Sequence, residues 1–296
     1  MASSDQPKYN AATKSRKWPW SRRSNMYDPP TALDRILESP LKFLIMYIHA
    51  TLLWFRGAPF KPPRNKHPIR IVCISDTHCN SGMSIPPGDL LIHAGDLTNA
   101  GTIVEIQDQI DWLDSLPHKE KIVICGNHDS YFDPKSRRPE DKAGNRKLKW
   151  PNNMHYLENK AVPLKFKGGR RLNFYGSPDI PACGGDDFAF QYQRGNDKWE
   201  GRIPMDTDVL ITHTPPKHHV DLNLGCEGLL KEIWEVKPKL HVVGHIHSAH
   251  GREALFWDKG QQTYERILAR NGGVLKDLTA ISQWFDALRG TYKCRA

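Results

Sequence analysis

Apolar positions crowd into six short runs between residues 69 and 245: IRIVCIS (69–75), LLIHAGD (90–96), KIVICGN (121–127), LNFYG (172–176), VLITHT (209–214) and LHVVGH (240–245). Most are rich in β-branched residues. They are nearly continuous rather than alternating, the pattern of strands buried on both faces. Polar or turn-forming residues close each run, so the strands are expected to deliver polar groups at their C-terminal ends. Between two runs, Ile103, Ile106, Ile110, Leu113 and Leu116 recur at steps of three and four, which predicts an amphipathic helix over 102–116. A shorter helix is expected over 226–234. Strands alternating with helices imply an α/β layered architecture whose ligands bind at the carboxyl ends of the strands.

The pattern changes on both sides of this region. From about Arg252 to Ala296 it becomes helical, with Leu275, Leu278, Ile281, Phe285 and Leu288 on one face and Gly290 as a stop. Upstream, LKFLIMYIHATLLWF (41–55) is the most apolar stretch of the chain. Pro40 suits the first turn of a helix there, and Arg56-Gly57 its end. Thirteen residues without formal charge, Phe43 to Phe55, fall short of the ~20 needed to span a bilayer. Two readings stay open for this helix: packing on the main domain, or lying in a membrane interface with its flanking basic residues on the headgroups. Residues 57–68 read as a semi-rigid Pro-containing linker. The expected organisation is a basic, disordered tail over 1–40, an apolar helix over 41–57, a chemistry-bearing domain over 67–253 and a helical extension over 254–296.

Charge sharpens this division. The net charge is +9, but residues 1–66 hold twelve Lys/Arg against four acids, a surplus of eight that leaves +1 for the remainder. The main domain is therefore nearly neutral, which argues against a nucleic-acid substrate, whereas the tail suits an anionic membrane. Six cysteines without a CxxC pair exclude a zinc ribbon and a disulfide scaffold, and point to a reducing, cytoplasmic setting.

Five motifs close the apolar runs in order: Asp76-Thr77-His78, Gly95-Asp96, Gly126-Asn127-His128-Asp129, Thr212-His213-Thr214 and Gly244-His245-Ile246-His247. Carboxylate, imidazole and amide oxygen suit hard-to-borderline divalent metals. Asp76 and His78, two apart, can reach one ion together. Glycine before Asp96, Asn127 and His245 lets the backbone turn tightly. His93, on the same run as Asp96, is a candidate to support the ligands. His49, His67, His118, His155, His218, His219, His241 and His250 have no such arrangement and are read as packing or surface residues.

With these five motifs, residues 69–251 resemble the calcineurin-like metallophosphoesterase superfamily. HAGDLTNAG, KIVICGNHD, YGSP, ITHTPP and KPKLHVVGHIH narrow the resemblance to the branch of metallophosphoesterase-domain-containing proteins near class III cyclic nucleotide phosphodiesterases. The resemblance implies a four-layer αββα sandwich and a binuclear site. It assigns Asp76, His78 and His247 to a first metal and Asn127, His213 and His245 to a second. It makes Asp96 the bridge and His128 the catalytic residue at the scissile phosphate. The two divalent ions are left open among Mn2+, Fe2+/Fe3+, Zn2+ and Mg2+.

The implied activity is in-line hydrolysis of a small phosphoester by a metal-bridging hydroxide, with cyclic-nucleotide-like diesters favoured. A phosphomonoesterase and a membrane-peripheral binding protein with little turnover are the alternatives. Asn99 stands where protein-phosphatase members carry an Asp, which counts against that activity. A further C-terminal strand with an Asn-Ala-Ser-like motif, usual in the family, is not found before Ala296.

Overall fold

The computed structural model describes residues 20–25, 27–57, 64–144, 146–269 and 282. The tail residues 1–19, and the expected helical face from Leu275 to Leu288, lie outside the described residues.

The chain opens with two helices, α1 (Ala32–Glu38) and α2 (Pro40–Arg56). The first corrects the expectation of an unstructured tail through residue 40. Thr31 and Asp34 form a reciprocal capping box, in which each side chain satisfies the other's backbone N–H. Ser39 caps α2, Pro40 occupies its first turn, and Gly57 ends it at φ 72°.

One sheet then follows: β1 (Ile71–Ile74), β2 (Leu90–Ala94), β3 (Glu120–Ile124) and β4 (Met154–Tyr156), in that order and all parallel. Helix α3 (Ile103–Ser115) crosses from β2 to β3, and the short α4 (Pro139–Ala143) precedes β4. A second sheet has the order β10 (Leu240–Val243), β9 (Val209–Thr212), β6 (Arg171–Ser177), β5 (Lys160–Lys165). Its strands are parallel except for the β5–β6 pair. Between β6 and β9 lies the small pair β7 (Ile180–Pro181) and β8 (Gln191–Tyr192). Helix α5 (Glu227–Val236) crosses from β9 to β10, and α6 (Lys259–Ala269) comes last.

The continuous apolar runs resolve into two buried faces with the strand's period of two. Leu90, Ile92 and Ala94 of β2, Ile122 and Ile124 of β3, and Val209 and Ile211 of β9 meet in the core between the sheets. Leu91 and Val123 point the other way, onto Ile106, Ile110 and Leu113 of α3. Leu210 likewise packs on Leu229, Ile233 and Val236 of α5. The result is α3, sheet, sheet, α5: a four-layer αββα sandwich. β1 and β10 are the outer strands of their sheets among the described residues, and a cavity of about 760 Å³ lies along both.

Helices α2 and α6 form a packed unit of their own. Ile45 of α2 meets Tyr264 and Ile267 of α6, with Leu41, Ile48 and Leu52 around them. His49 stacks on Tyr264 at 3.8 Å and bonds Gln261 at 3.2 Å. Gln261 donates to Glu265, which also accepts from Trp234 of α5 at 2.6 Å. Arg56 pairs with Asp258 and covers the ring of Phe256. One face of the apolar helix is thus fixed to the body through α6.

Candidate metal centre

Five strands end at one place. β1 leads into Asp76 and His78, β2 into Asp96, β3 into Asn127 and His128, β9 into His213, and β10 into His245 and His247. The backbone there leaves the strand conformation abruptly. Asp76, His78, Cys79, Asp96 and His245 all sit at positive φ, between 46° and 70°, a region that costs a non-glycine residue about 1–3 kcal/mol. Two glycines are required beside them. A Cβ on Gly126 would stand 2.2 Å from Asp96 Oδ1, and one on Gly95 would stand 2.5 Å from His213 Nδ1. The tight packing of these loops is what brings eight polar side chains into one cluster.

Two groups of potential ligands result: Asp76, His78, Asp96 and His247, and Asp96, His213 and His245. Within each, the ligand atoms lie within 4.8 Å of one another, and Asp96 belongs to both. Asn127 Oδ1 lies 3.1 Å from His213 Nε2, which extends the second group. His247 Nε2 is 3.3 Å from both Asp76 Oδ1 and His78 Nε2, and His213 Nε2 is 3.4 Å from Asp96 Oδ2. Atoms bound to one ion at ~2.0–2.2 Å stand about 3–3.5 Å apart, so these spacings suit shared coordination.

Backbone carbonyls set the imidazole tautomers. His213 Nδ1 donates to Ala94 O at 2.9 Å, His78 Nδ1 to Thr98 O at 3.2 Å, and His128 Nδ1 to Asn99 O at 2.9 Å. All three acceptors lie on β2 or the six residues that lead on from it. With Nδ1 donating to a carbonyl, each ring turns its Nε2 into the site, where the neutral form offers a lone pair to a metal. His213 Nε2, Asp96 Oδ2 and Asn127 Oδ1 face one another in a fully buried place, an arrangement satisfied by a proton on His213 Nε2 or, in its stead, by a divalent cation. The residues therefore fit a divalent metal on both sides of Asp96.

Titration follows the same geometry. Burial opposes the charge of His213, yet Asp96 lifts its pKa to about 9. Burial would raise Asp96 as well, but His213 and His128 hold it well below the usual carboxylate range. Burial and the charge of His213 push His245 down to about 3, and burial lowers His78. The hydrogen bond with Asp76 raises His247.

His93 lies behind the cluster, with Nε2 2.9 Å from Thr77 Oγ1, and supports the Asp76-Thr77-His78 turn rather than joining either group. Asp129 is fully buried and accepts from the backbone N–H groups of Leu97, Thr98 and Gly126, which ties the Asp96 loop to the Asn127 loop. Its carboxyl is raised by burial and by the Asp96 charge. Two participants have no sequence signal of their own. Thr98 anchors His78 through its carbonyl, and Phe188, on the segment between β7 and β8, puts its ring 4.8 Å from that of His128. Ala189 N–H donates to Asn127 O at 2.9 Å, which holds this segment against the site.

The calcineurin-like phosphoesterase family matches residues 69–249. "Probable rhamnogalacturonate lyase C" of Emericella nidulans is 41% identical over 240 residues, covering 79% of this chain and 22% of that protein. "Metallophosphoesterase domain-containing protein 1" of Homo sapiens is 35% identical over 221 residues, covering 65% of each. A UPF0046 protein of Caenorhabditis elegans is 39% identical over 216 residues, covering 65% of this chain and 75% of that one. The chain thus spans less than a quarter of the first relative and about two thirds of the second.

Proposed function

Since the chain belongs to the calcineurin-like phosphoesterase family, metal-dependent hydrolases of phosphoric esters with a binuclear divalent centre, we propose that it cleaves small phosphodiesters, cyclic-nucleotide-like ones in particular. The observation that carries this reading is the pair of ligand groups that share Asp96, with His128 beside them. In this reading Asp76, His78 and His247 hold one ion, Asn127, His213 and His245 hold the other, and Asp96 holds both. When bound, the ions supply an activated water and neutralise phosphate oxygens.

His128 has a different task. Its Nδ1 donates to Asn99 O, so in the protonated ring Nε2–H is the group that donates to a phosphate oxygen or passes its proton to the leaving oxygen. In this reading the Phe188 ring at His128 gives the site a flat apolar wall suited to stacking the base of a nucleotide substrate. Free Cys73, Cys79, Cys125, Cys183 and Cys226 support a cytoplasmic setting. The lyase named in the fungal relative belongs to a protein of which the matching part is 22%, and it has no place in this reading.

The test is a screen of full-length, manganese-loaded protein against phosphomonoesters, phosphodiesters and cyclic nucleotides. Diesters should be turned over fastest. Phe188→Ala should raise KM for nucleotide substrates by about tenfold, the contribution of one aromatic contact, with little change for a small alkyl diester. Faster turnover of monoesters would make the protein a phosphomonoesterase. Two bound ions without turnover of any substrate would make it a binding protein.

A further inference from the structure

Helix α2 is apolar all round, yet only one of its faces is covered. Ile45 and His49 are 2% and 4% exposed against α6. On the opposite side Leu44, Tyr47, Trp54 and Phe55 are 52%, 67%, 77% and 72% exposed. These four fall at positions i, i+3, i+10 and i+11, with exposed Thr51 at i+7, so they form one stripe along the helix. A soluble helix normally puts charges on its outer face. None of the five positions in this stripe is charged.

We propose that this stripe of α2 is a docking surface for an anionic lipid bilayer, on which the helix lies flat. Three observations favour lipid over other occupants. The stripe is rich in aromatics, and Tyr47 and Trp54 combine an apolar body with a polar tip, the chemistry that settles at headgroup level. The segment carrying it holds the basic surplus of the chain, twelve Lys/Arg against four acids in residues 1–66. That charge complements an anionic surface and repels a second copy of the same segment. Finally, five side chains are far fewer than the ~20–30 residues a side of a stable protein interface, whereas a bilayer accepts a narrow stripe.

The packing also fixes how the helix can meet the membrane. At 17 residues α2 is about 26 Å long, too short to cross, and no described helix is long and apolar enough to do so. Its other face is held by Tyr264 and Ile267, by the His49–Gln261 hydrogen bond and by the Arg56–Asp258 ion pair. Lying flat, α2 would seat the sandwich on the lipid surface without releasing any of these contacts.

The experiment is co-sedimentation of the full-length protein with vesicles of phosphatidylcholine, with or without phosphatidylserine, at low and high salt. Binding should require phosphatidylserine and weaken as salt rises. A variant with Tyr47→Ser, Trp54→Ser and Phe55→Ser should bind about a thousandfold more weakly, because each buried aromatic contributes about tenfold to partitioning. Its turnover of a soluble phosphoester and its thermal unfolding should match wild type, since these side chains touch solvent rather than the core. A wild-type protein that ignores phosphatidylserine vesicles would overturn the proposal. So would a triple variant that binds them as tightly as wild type. Concentration-dependent dimers that the variant cannot form, in a protein that does not bind vesicles, would assign the stripe to a second copy instead.

Discussion

The strand-end cluster and the α2–α6 unit treat polar and apolar groups in opposite ways. At the strand ends, buried carboxylate and imidazole groups converge on shared points, and five non-glycine residues hold positive φ to keep them there. At about 1–3 kcal/mol each, that backbone strain is comparable with the entire net stability of a typical domain. The sandwich behind it, with Leu90, Ile92, Ile122 and Ile211 fully buried, supplies the stability that offsets it. In α2–α6 the backbone is relaxed helix, and it is apolar surface that stays exposed. The contrast separates two tasks: strain and buried charge mark where chemistry is positioned, and an uncovered apolar stripe marks where the molecule meets something else.

The strongest way to break this contrast is to remove the group common to both ligand sets. Asp96→Asn keeps the shape but takes away the carboxylate charge facing His213. Metal content, measured by elemental analysis, and turnover should collapse together, the latter to background. A variant that retained two ions and more than about a tenth of the turnover would remove Asp96 from the bridging position. Next in size is His128→Ala. Turnover should fall by ~10²–10⁴ while both ions remain, the loss expected when proton transfer or charge stabilisation is withdrawn without a ligand. If metal content fell in step with kcat, His128 would belong to the ligand set and its bond to Asn99 O would need another explanation.

Much of this arrangement was legible in the sequence because both signals are local. Runs such as LLIHAGD and VLITHT display a buried strand and its polar terminus in seven or six residues, and the crossover helix over 102–116 carries clear periodicity. Weaker signals were lost. β5 holds Pro163 and is covered on few of its residues, as suits an edge strand, so its alternation is faint. β4 is only three residues long. The Thr31–Asp34 capping box was readable but sits in a stretch whose composition resembles disorder. Phe188 could not be found at all. Its role comes from the loop that returns to Asn127, and nothing in GGDDFAF announces which ring will face His128. The two faces of α2 were equally hidden, since an all-apolar helix gives no hint of which side will be covered.

The smallest expected effect concerns whether the two regions are independent, and it turns on His219. This residue lies six positions beyond His213, yet its ring points into the α6 side of the molecule. Nε2 is 3.1 Å from Glu265 and Nδ1 is 3.2 Å from Glu253. Glu265 also accepts from Trp234 and Gln261, and Gln261 bonds His49 of α2. Burial opposes the imidazolium, but the hydrogen bonds and charges of Glu253 and Glu265 raise its pKa to about 9. Nearby His241 is held neutral by burial and by the His219 charge. A folded-state pKa above the unfolded value of ~6.5 means that the ion-paired form stabilises the fold fully below pH ~6.5. That contribution, up to about 3 kcal/mol, should fade as pH rises through about 9. For a domain of this size the loss corresponds to roughly 5–10 °C in Tm. Thermal unfolding of wild type should therefore drop across this interval, and protease cleavage at the α2–α6 contact should become easier. His219→Gln should be less stable at pH 6.5 and should lose most of the pH dependence. Its turnover of a soluble phosphoester should stay within about twofold of wild type at every pH where it remains folded. If turnover moved with stability in that variant, the α2–α6 unit and the strand-end cluster would form one coupled structure, and the division between them would have to be given up.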